Sequence, residues 1–229
     1  MKNILIIFGS SGALGEGVTE VFINKNFDQI YLFDFKHKES SDNKIKRIII
    51  NDLSEENNVK DAFSNVVTSK DSVYYLFSTV GGFFGGKKIW ETEEGYFDRM
   101  INMNLKTNFL IAKYFSLLVK KSHSGSICFT SAYTGLVEEE DKGVYGSSKA
   151  ALIHLVKTLA LEGKEINLSA NAIAPYIIDT PSNREWMADE NFNKWIKPSE
   201  IGEFVYSVFQ NYNTVSGNIF QLKYRFTEK

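Results

Sequence analysis

The chain opens on an apolar run, Asn3-Ile-Leu-Ile-Ile-Phe8, that passes without a spacer into Gly9-Ser-Ser-Gly12-Ala-Leu-Gly15 and then into helical spacing through Val18, Val21 and Phe22. An unbroken apolar run of strand length suits a strand buried on both faces, as in a parallel sheet. A glycine turn feeding directly into a helix is the first half of a β-α-β unit. The rest of the chain repeats the alternation. Further strands are expected at Gln29 to Phe33, Ile45 to Ile50, Val73 to Phe77, Ser126 to Phe129, Asn167 to Ile173 and Asn218 to Leu222. Helices are expected at about 55–67, 97–120, 145–161 and 199–209, and the stretch from Ala174 reads as long and irregular. Without a linker or repeat, this predicts one α/β domain over 1–229, a doubly wound, seven-stranded parallel sheet with helices on both faces.

In such sheets ligands collect outside the carboxyl ends of the strands. Gly9, Asp34, Asp52, Thr79, Ser131 and Pro175 all fall on that edge. The glycines permit a tight turn and close backbone approach, and the helix N-terminus offers unpaired N–H groups to a pyrophosphate. The turn from Gly9 through Ser11, Gly12, Ala13, Leu14 and Gly15 therefore reads as a Rossmann-type dinucleotide cradle. Asp34 ends the second strand, roughly 20 residues past the glycines, where a carboxylate binds adenosine ribose hydroxyls. Asp52-Leu53 ends the third, close to the expected adenine. A carboxylate at Asp34 repels a 2′-phosphate, and neither Ser10 nor Ser11 supplies a compensating cation, so NADH is expected over NADPH. Lys36 and Lys38 are the cations from which NADPH would draw support.

Tyr145-Gly-Ser-Ser-Lys149 lies shortly after a strand ending in Thr130-Ser131. Tyr and Lys one helical turn apart share a helix face. A free phenol, with a pKa of about 10, is a poor acid or base at neutral pH, and a nearby cation lowers that value. Ser131 offers a hydroxyl to a carbonyl oxygen. The trio suits proton transfer to a carbonyl that receives a hydride.

With 229 residues and 43% apolar content the chain is long enough for one large core. A net charge of -2 gives no reason to expect nucleic acid or an anionic membrane. Cys128, the single cysteine, excludes an intrachain disulfide and sits in the apolar stretch Ile127-Cys128-Phe129 as an inert thiol. The opening run is too short for a signal peptide and no segment approaches bilayer length, so a cytoplasmic setting is expected. His37, His123 and His154 lack metal-ligand spacing, and no metal site is expected. Glu138-Glu-Glu-Asp141 reads as a solvated loop. Phe83 and Phe84 read equally well as loop anchors or as substrate-stacking rings, and Trp186, Met187 and Trp195 as the apolar underside of a lid over 176–198.

Taken together, these motifs resemble the short-chain dehydrogenases/reductases over essentially the full length. In Ile101-Asn-Met-Asn104-Leu the resemblance assigns Asn104 to the family's fourth catalytic position, holding a water in a proton relay. It implies that Tyr145 exchanges the proton, that Lys149 lowers its pKa and binds the nicotinamide ribose, and that Ser131 polarises the carbonyl. Thr79, Val80, Gly81, Pro175, Ile178 and Thr180 would touch the cofactor, Thr180 at the carboxamide. The family's usual G-x-x-x-G-x-G is G-x-x-G-x-x-G here, Asn-Asn-Ala-Gly is Thr79-Val80-Gly81-Gly82, and Pro-Gly is Pro175-Tyr176. These departures resemble the quinonoid dihydropteridine reductase branch. It shares the Gly-Ala-Leu-Gly turn, a loop like Gly81-Gly82-Phe83, a segment like Asp179-Thr-Pro-Ser-Asn-Arg184, and the run through Met187, Asp189 to Phe192 and Trp195. Ser131 departs from the animal members, which lack that serine. A quinonoid dihydropteridine is thus the implied acceptor, with Phe83, Tyr133, Tyr176 and Trp186 as substrate contacts. Another small ketone or alcohol, 3-oxoacyl or sugar-derived, and a non-catalytic dinucleotide sensor are the alternatives.

The 97–120 helix carries one apolar stripe through Phe97, Ile101, Leu105, Ala112, Phe115 and Val119 and a second through Met103, Leu110, Tyr114 and Leu117. The 145–161 helix is apolar nearly all round. One stripe suffices to cover a sheet, and the surplus needs another partner. The resemblance implies a homodimer through these two helices, with a tetramer left open.

Overall fold

The computed structural model describes residues 1–36 and 42–226, so His37 and Lys38 lie outside the described residues. Seven strands, β1 (Lys2–Phe8), β2 (Gln29–Asp34), β3 (Ile45–Ile49), β4 (Ser72–Ser78), β5 (Ser124–Thr130), β6 (Leu168–Pro175) and β7 (Ile219–Leu222), form one parallel sheet in the order β3-β2-β1-β4-β5-β6-β7. The expected doubly wound α/β architecture is the one observed. The order in which the chain adds strands reverses between β1 and β4, the switch point at which such sheets open a crevice. Register aligns the strand ends there: Phe8 lies opposite Phe33 and Ser78, and Ser78 opposite Phe129.

The helices are α1 (Ala13–Phe22), α2 (Glu56–Ser64), α3 (Glu94–Met100), α4 (Thr107–Val119), α5 (Gly143–Glu162), α6 (Pro181–Trp186) and α7 (Pro198–Gln210). Strand alternation divides the core into two layers. Ile4, Ile6 and Phe8 of β1 face α2, α4 and α5 through Phe63, Ile111, Phe115, Leu152 and Val156. Leu5 and Ile7 face α1 and α7 through Val18, Phe22, Val205 and Phe209. Cys128 is fully buried in that second layer, and burial pushes its thiol up to about 12.

Two expectations are corrected. The single helix expected over 97–120 begins at Glu94 and is interrupted by a π-helical segment, Ile101–Lys106. One extra residue in a turn rotates everything beyond it by about 100°. A stripe read across the break therefore joins different faces. Leu110, assigned to the outward stripe, is 4% exposed and packs in the core with Ile111 and Phe115. Phe109 and Leu117 are the apolar α4 residues that stand out, at 48% and 47% exposure. The second correction concerns the stretch after β6. It contains α6, started by Thr180 as N-cap and Pro181 in the first turn, and braced by Arg184 donating to the Asp179 carboxylate at 2.5 and 2.8 Å.

Candidate active site

The turn after β1 is shaped by Gly9, whose φ of +81° lies in the left-handed region that favours glycine. A Cβ there would stand 2.5 Å from Thr79 Oγ1. Instead the Thr79 hydroxyl donates to the Gly9 carbonyl at 2.8 Å, which ties the turn to the end of β4. Gly12 is the N-cap of α1 and no side chain caps the helix. The Asp34 carboxylate accepts the Ser11 and Phe35 N–H groups at 2.6 and 2.7 Å, so the turn and the end of β2 are held as one unit. Asp52 is exposed, and the Ser54 N–H, donating at 2.8 Å, holds its carboxyl below the usual range. Leu53 is buried in the core.

Beyond this turn a cavity of about 350 Å³ opens at the strand ends. Leu14, Thr79, Gly81, Pro175 and Ile178 line it together with Ser131, Tyr145 and Lys149. Lys149 is buried in α5 and its Nζ donates to the Thr130 carbonyl at 2.9 Å. The Ser131 hydroxyl donates in return to the Lys149 carbonyl at 3.1 Å. Gly81 passes so close that a Cβ would stand 2.9 Å from Lys149 Nζ and 2.7 Å from Asn104 Oδ1. Lys149 Nζ lies 6.0 Å from the centre of the Tyr145 ring.

The electrostatics differ from the simple expectation. Burial, with the Glu139 carboxylate second, raises the Tyr145 phenol above its ordinary value. Burial also lowers Lys149 to about 8. In this geometry the ammonium is engaged by the Thr130 carbonyl, and the phenol is held in its protonated form.

Asn104 stands in the π segment, fully buried. Its Oδ1 accepts the Gly82 N–H at 2.8 Å, and its Nδ2 donates to the Gly82 carbonyl at 3.0 Å and to Ser148 Oγ at 2.9 Å. The side-chain amide is spent on structure. Asn108 continues the network, donating to the carbonyls of Val80 and Asn104 at 3.2 and 2.9 Å. The β4 loop is thereby pinned to the helix.

Of the residues assigned to substrate, Phe83, Tyr176 and Trp186 line the cavity. Phe83 meets the Tyr145 ring edge-on at 5.0 Å and the Trp186 ring at 5.3 Å. Phe84 is the anchor, stacked on Tyr96 at 3.8 Å. Tyr133 does not line the cavity: its hydroxyl accepts from Lys223 Nζ at 2.9 Å and its ring packs on Tyr176 at 5.5 Å. Met187 lines the cavity, whereas Trp195 is buried against Phe192. Thr180 caps α6, accepting the Asn183 N–H at 3.3 Å, and is not in the lining. Glu139, read as solvated, lines the cavity with Thr134 and Lys142. Its position between Ser131 and Tyr145 was the available signal, because a segment joining those two residues must pass the site.

Lys149 gives a stability signature. Its folded pKa of about 8 is below the unfolded value of about 10.4, so below pH 8 the folded chain carries a desolvated charge. From pH 8 upward the folded state releases that proton before the unfolded state does, and stability rises with pH. We expect Lys149→Met to be more stable than the wild type at pH 7 and the gap to narrow by roughly 2–3 kcal/mol by pH 10. Urea titrations across that window measure it; a pH-independent gap would contradict the assignment.

A model of the short chain dehydrogenase family matches residues 3–191. The chain is 32% identical over 204 residues to dihydropteridine reductase of Dictyostelium discoideum, covering 88% of this chain and 85% of that protein. It is 28% identical over 211 residues to the oxidoreductase YxbG of Bacillus subtilis (strain 168), covering 84% and 76%. Among solved structures, ElxO with NADP bound superposes with a TM-score of 0.86 at 21% identity over 97% of this chain and 98% of that one. The 3-hydroxyacyl-CoA dehydrogenase type-2 of Mycobacterium avium gives 0.85 at 19% identity, over 100% and 98%. Likeness at such identity speaks for the fold, while the family match speaks for ancestry. The chain belongs to the short chain dehydrogenase family of NAD(P)-dependent oxidoreductases.

Proposed function

We propose that this protein is an NADH-preferring reductase of a carbonyl or quinonoid acceptor, with a quinonoid dihydropteridine as the favoured substrate. The observation that carries the reading is the aromatic wall of Phe83 and Trp186, which lines one cavity with Tyr145 and Ser131 and suits a flat ring held beside an acid. The likeness to a dihydropteridine reductase supports it.

The residues present fit a dinucleotide. The uncapped start of α1, the open face of Gly12 and the Asp34 carboxylate together offer N–H groups to a pyrophosphate and an acceptor to a ribose. When bound, the dinucleotide supplies the hydride. Tyr145 gives its phenolic proton to the electronegative atom of the acceptor, Ser131 turns its one O–H from the Lys149 carbonyl to hold that atom, and Lys149, with donors to spare beyond the Thr130 carbonyl, binds the nicotinamide ribose. Protonated Tyr145 is the form that reduction requires. The Asn104 amide is engaged with Gly82 and Ser148 and its main-chain carbonyl accepts from Asn108, so Asn104 acts by holding the Gly82 loop and α5 in place. Leu14, Thr79, Gly81, Pro175 and Ile178 border the nicotinamide end, and 176–198 acts as the lid. For the nucleotide, Lys36 and Arg47 beside Ser10 and Ser11 are balanced by Glu16 and Glu20 in the same recess, and Asp34 decides for NADH.

Two copies pair through the apolar groove between α4 and α5, about 300 Å³ in volume and lined by Phe109, Leu117 and Leu155. Symmetric dimers are the commonest oligomers. Light scattering at micromolar concentration should return twice the 26.0 kDa chain mass for the wild type and a folded monomer for Leu117→Glu, while Leu110→Glu should unfold. A wild-type monomer would refute this. Tyr145→Phe should lower kcat by roughly 10²–10⁴ on the true substrate with NADH affinity retained, in an assay where NADH gives the higher kcat/KM. Undiminished turnover would remove Tyr145 from the proton transfer, and an NADPH preference would overturn the role of Asp34.

A further inference from the structure

One wall of the cavity carries a charge that exchanges no proton with the acceptor, although it adds to the effect of burial on the Tyr145 phenol. Glu139 and Lys142 reach it from the segment before α5, with side chains only 21% and 25% exposed. Lys142 Nζ donates to Glu139 Oε1 at 2.9 Å, and the Thr134 hydroxyl donates to Oε2. Burial works against the carboxylate, but the Thr134 and Lys142 hydrogen bonds outweigh it, and Glu139 is held below the usual carboxylate range. It is therefore ionised at neutral pH. An ordinary surface ion pair contributes little, on the order of 1 kcal/mol or less. This one instead faces a recess shared with Phe83, Trp186 and Met187. Each carboxylate oxygen has about two acceptor directions, and one bond is made to each here, so acceptor capacity remains.

We propose that Glu139 is a substrate-recognition residue, its carboxylate accepting hydrogen bonds from the N–H groups of a flat nitrogen heterocycle held against Phe83 and Trp186. Amino- or amide-bearing heterocycles are thereby selected over quinones and ketones without an N–H. Thr134 and Lys142 hold the carboxylate in place. The inference rests on the reading that this cavity takes a carbonyl or quinonoid acceptor, and it adds the edge by which that acceptor is read.

The test uses the full-length protein saturated with NAD and two probes: pterin, followed by its own fluorescence, and menadione, a flat quinone without N–H, followed by quenching of tryptophan fluorescence. Losing a hydrogen bond to a charged acceptor corresponds to a loss of roughly 10- to 100-fold. Glu139→Gln should weaken pterin binding by that factor, leave menadione within twofold and leave NADH affinity unchanged; Glu139→Asp should recover part of the loss. Equal weakening of both probes would make Glu139 a purely structural wall. Unchanged pterin affinity, or no pterin binding to the wild type, would also overturn the proposal. Turnover is scored separately. Glu139-dependent pterin binding without NADH oxidation on quinonoid dihydropterin would defeat the proposed reaction alone. Turnover with KM unaltered in Glu139→Gln would defeat the recognition role alone.

Discussion

The site depends on a reciprocal clamp between the end of β5 and the middle of α5. Lys149 sends its ammonium to the Thr130 carbonyl, and Ser131 sends its hydroxyl to the Lys149 carbonyl. Two side chains, each on one element, satisfy a main-chain acceptor on the other. The strand is fixed by its register in the sheet, so the clamp fixes the helix, and Tyr145 one turn earlier is aimed at the cavity. The arrangement costs stability because it keeps a cation out of water. Such a cost is common where a site must hold a reactive group in place.

A second polar layer stiffens the first. Asn104 bonds both main-chain groups of Gly82 and reaches Ser148 in α5, while Asn108 accepts from Ser78 Oγ at 2.7 Å and donates to Val80. These bonds join β4, the helix after it and α5 behind Tyr145 and Lys149. The π segment is what brings Asn104 inward. A fully satisfied buried network of this kind specifies one arrangement, since a partner lost would leave an amide unpaired. The glycine loop carrying Phe83 is consequently held at its base even though Phe83 itself is half-exposed.

The sheet, its strand ends and the convergence of Gly9, Asp34, Ser131 and Pro175 on one edge were legible because they follow from chain alternation and strand length. Tyr145 and Lys149 were legible because a helical turn is a fixed spacing. What escaped has physical reasons. A π turn is a slip in hydrogen bonding with no residue signature, and it carried Leu110 from the expected outer face into the core. Tyr133 lies in a short 3-10 turn, where a small backbone change decides which way the ring points, and Lys223 drew it away. Glu139 was masked by its acidic neighbours: Glu138 and Glu140 are exposed, but Thr134 and Lys142 give Glu139 a reason to turn inward. The short helix α6 was announced by Thr180-Pro181, a start signal too weak to offset the polar, unperiodic look of the segment.

The central claim is that the clamp, the glycine turn and the aromatic wall form one site for a dinucleotide and a flat acceptor. A crystal structure of the protein soaked with NADH tests it most directly. The account predicts the pyrophosphate at the start of α1, the adenosine ribose on Asp34, Lys149 donating to the nicotinamide ribose while it keeps its bond to the Thr130 carbonyl, and the nicotinamide ring facing Tyr145 in the cavity lined by Phe83 and Trp186. A nucleotide bound away from the glycine turn, or a nicotinamide ring separated from Tyr145 by the lid, would contradict it.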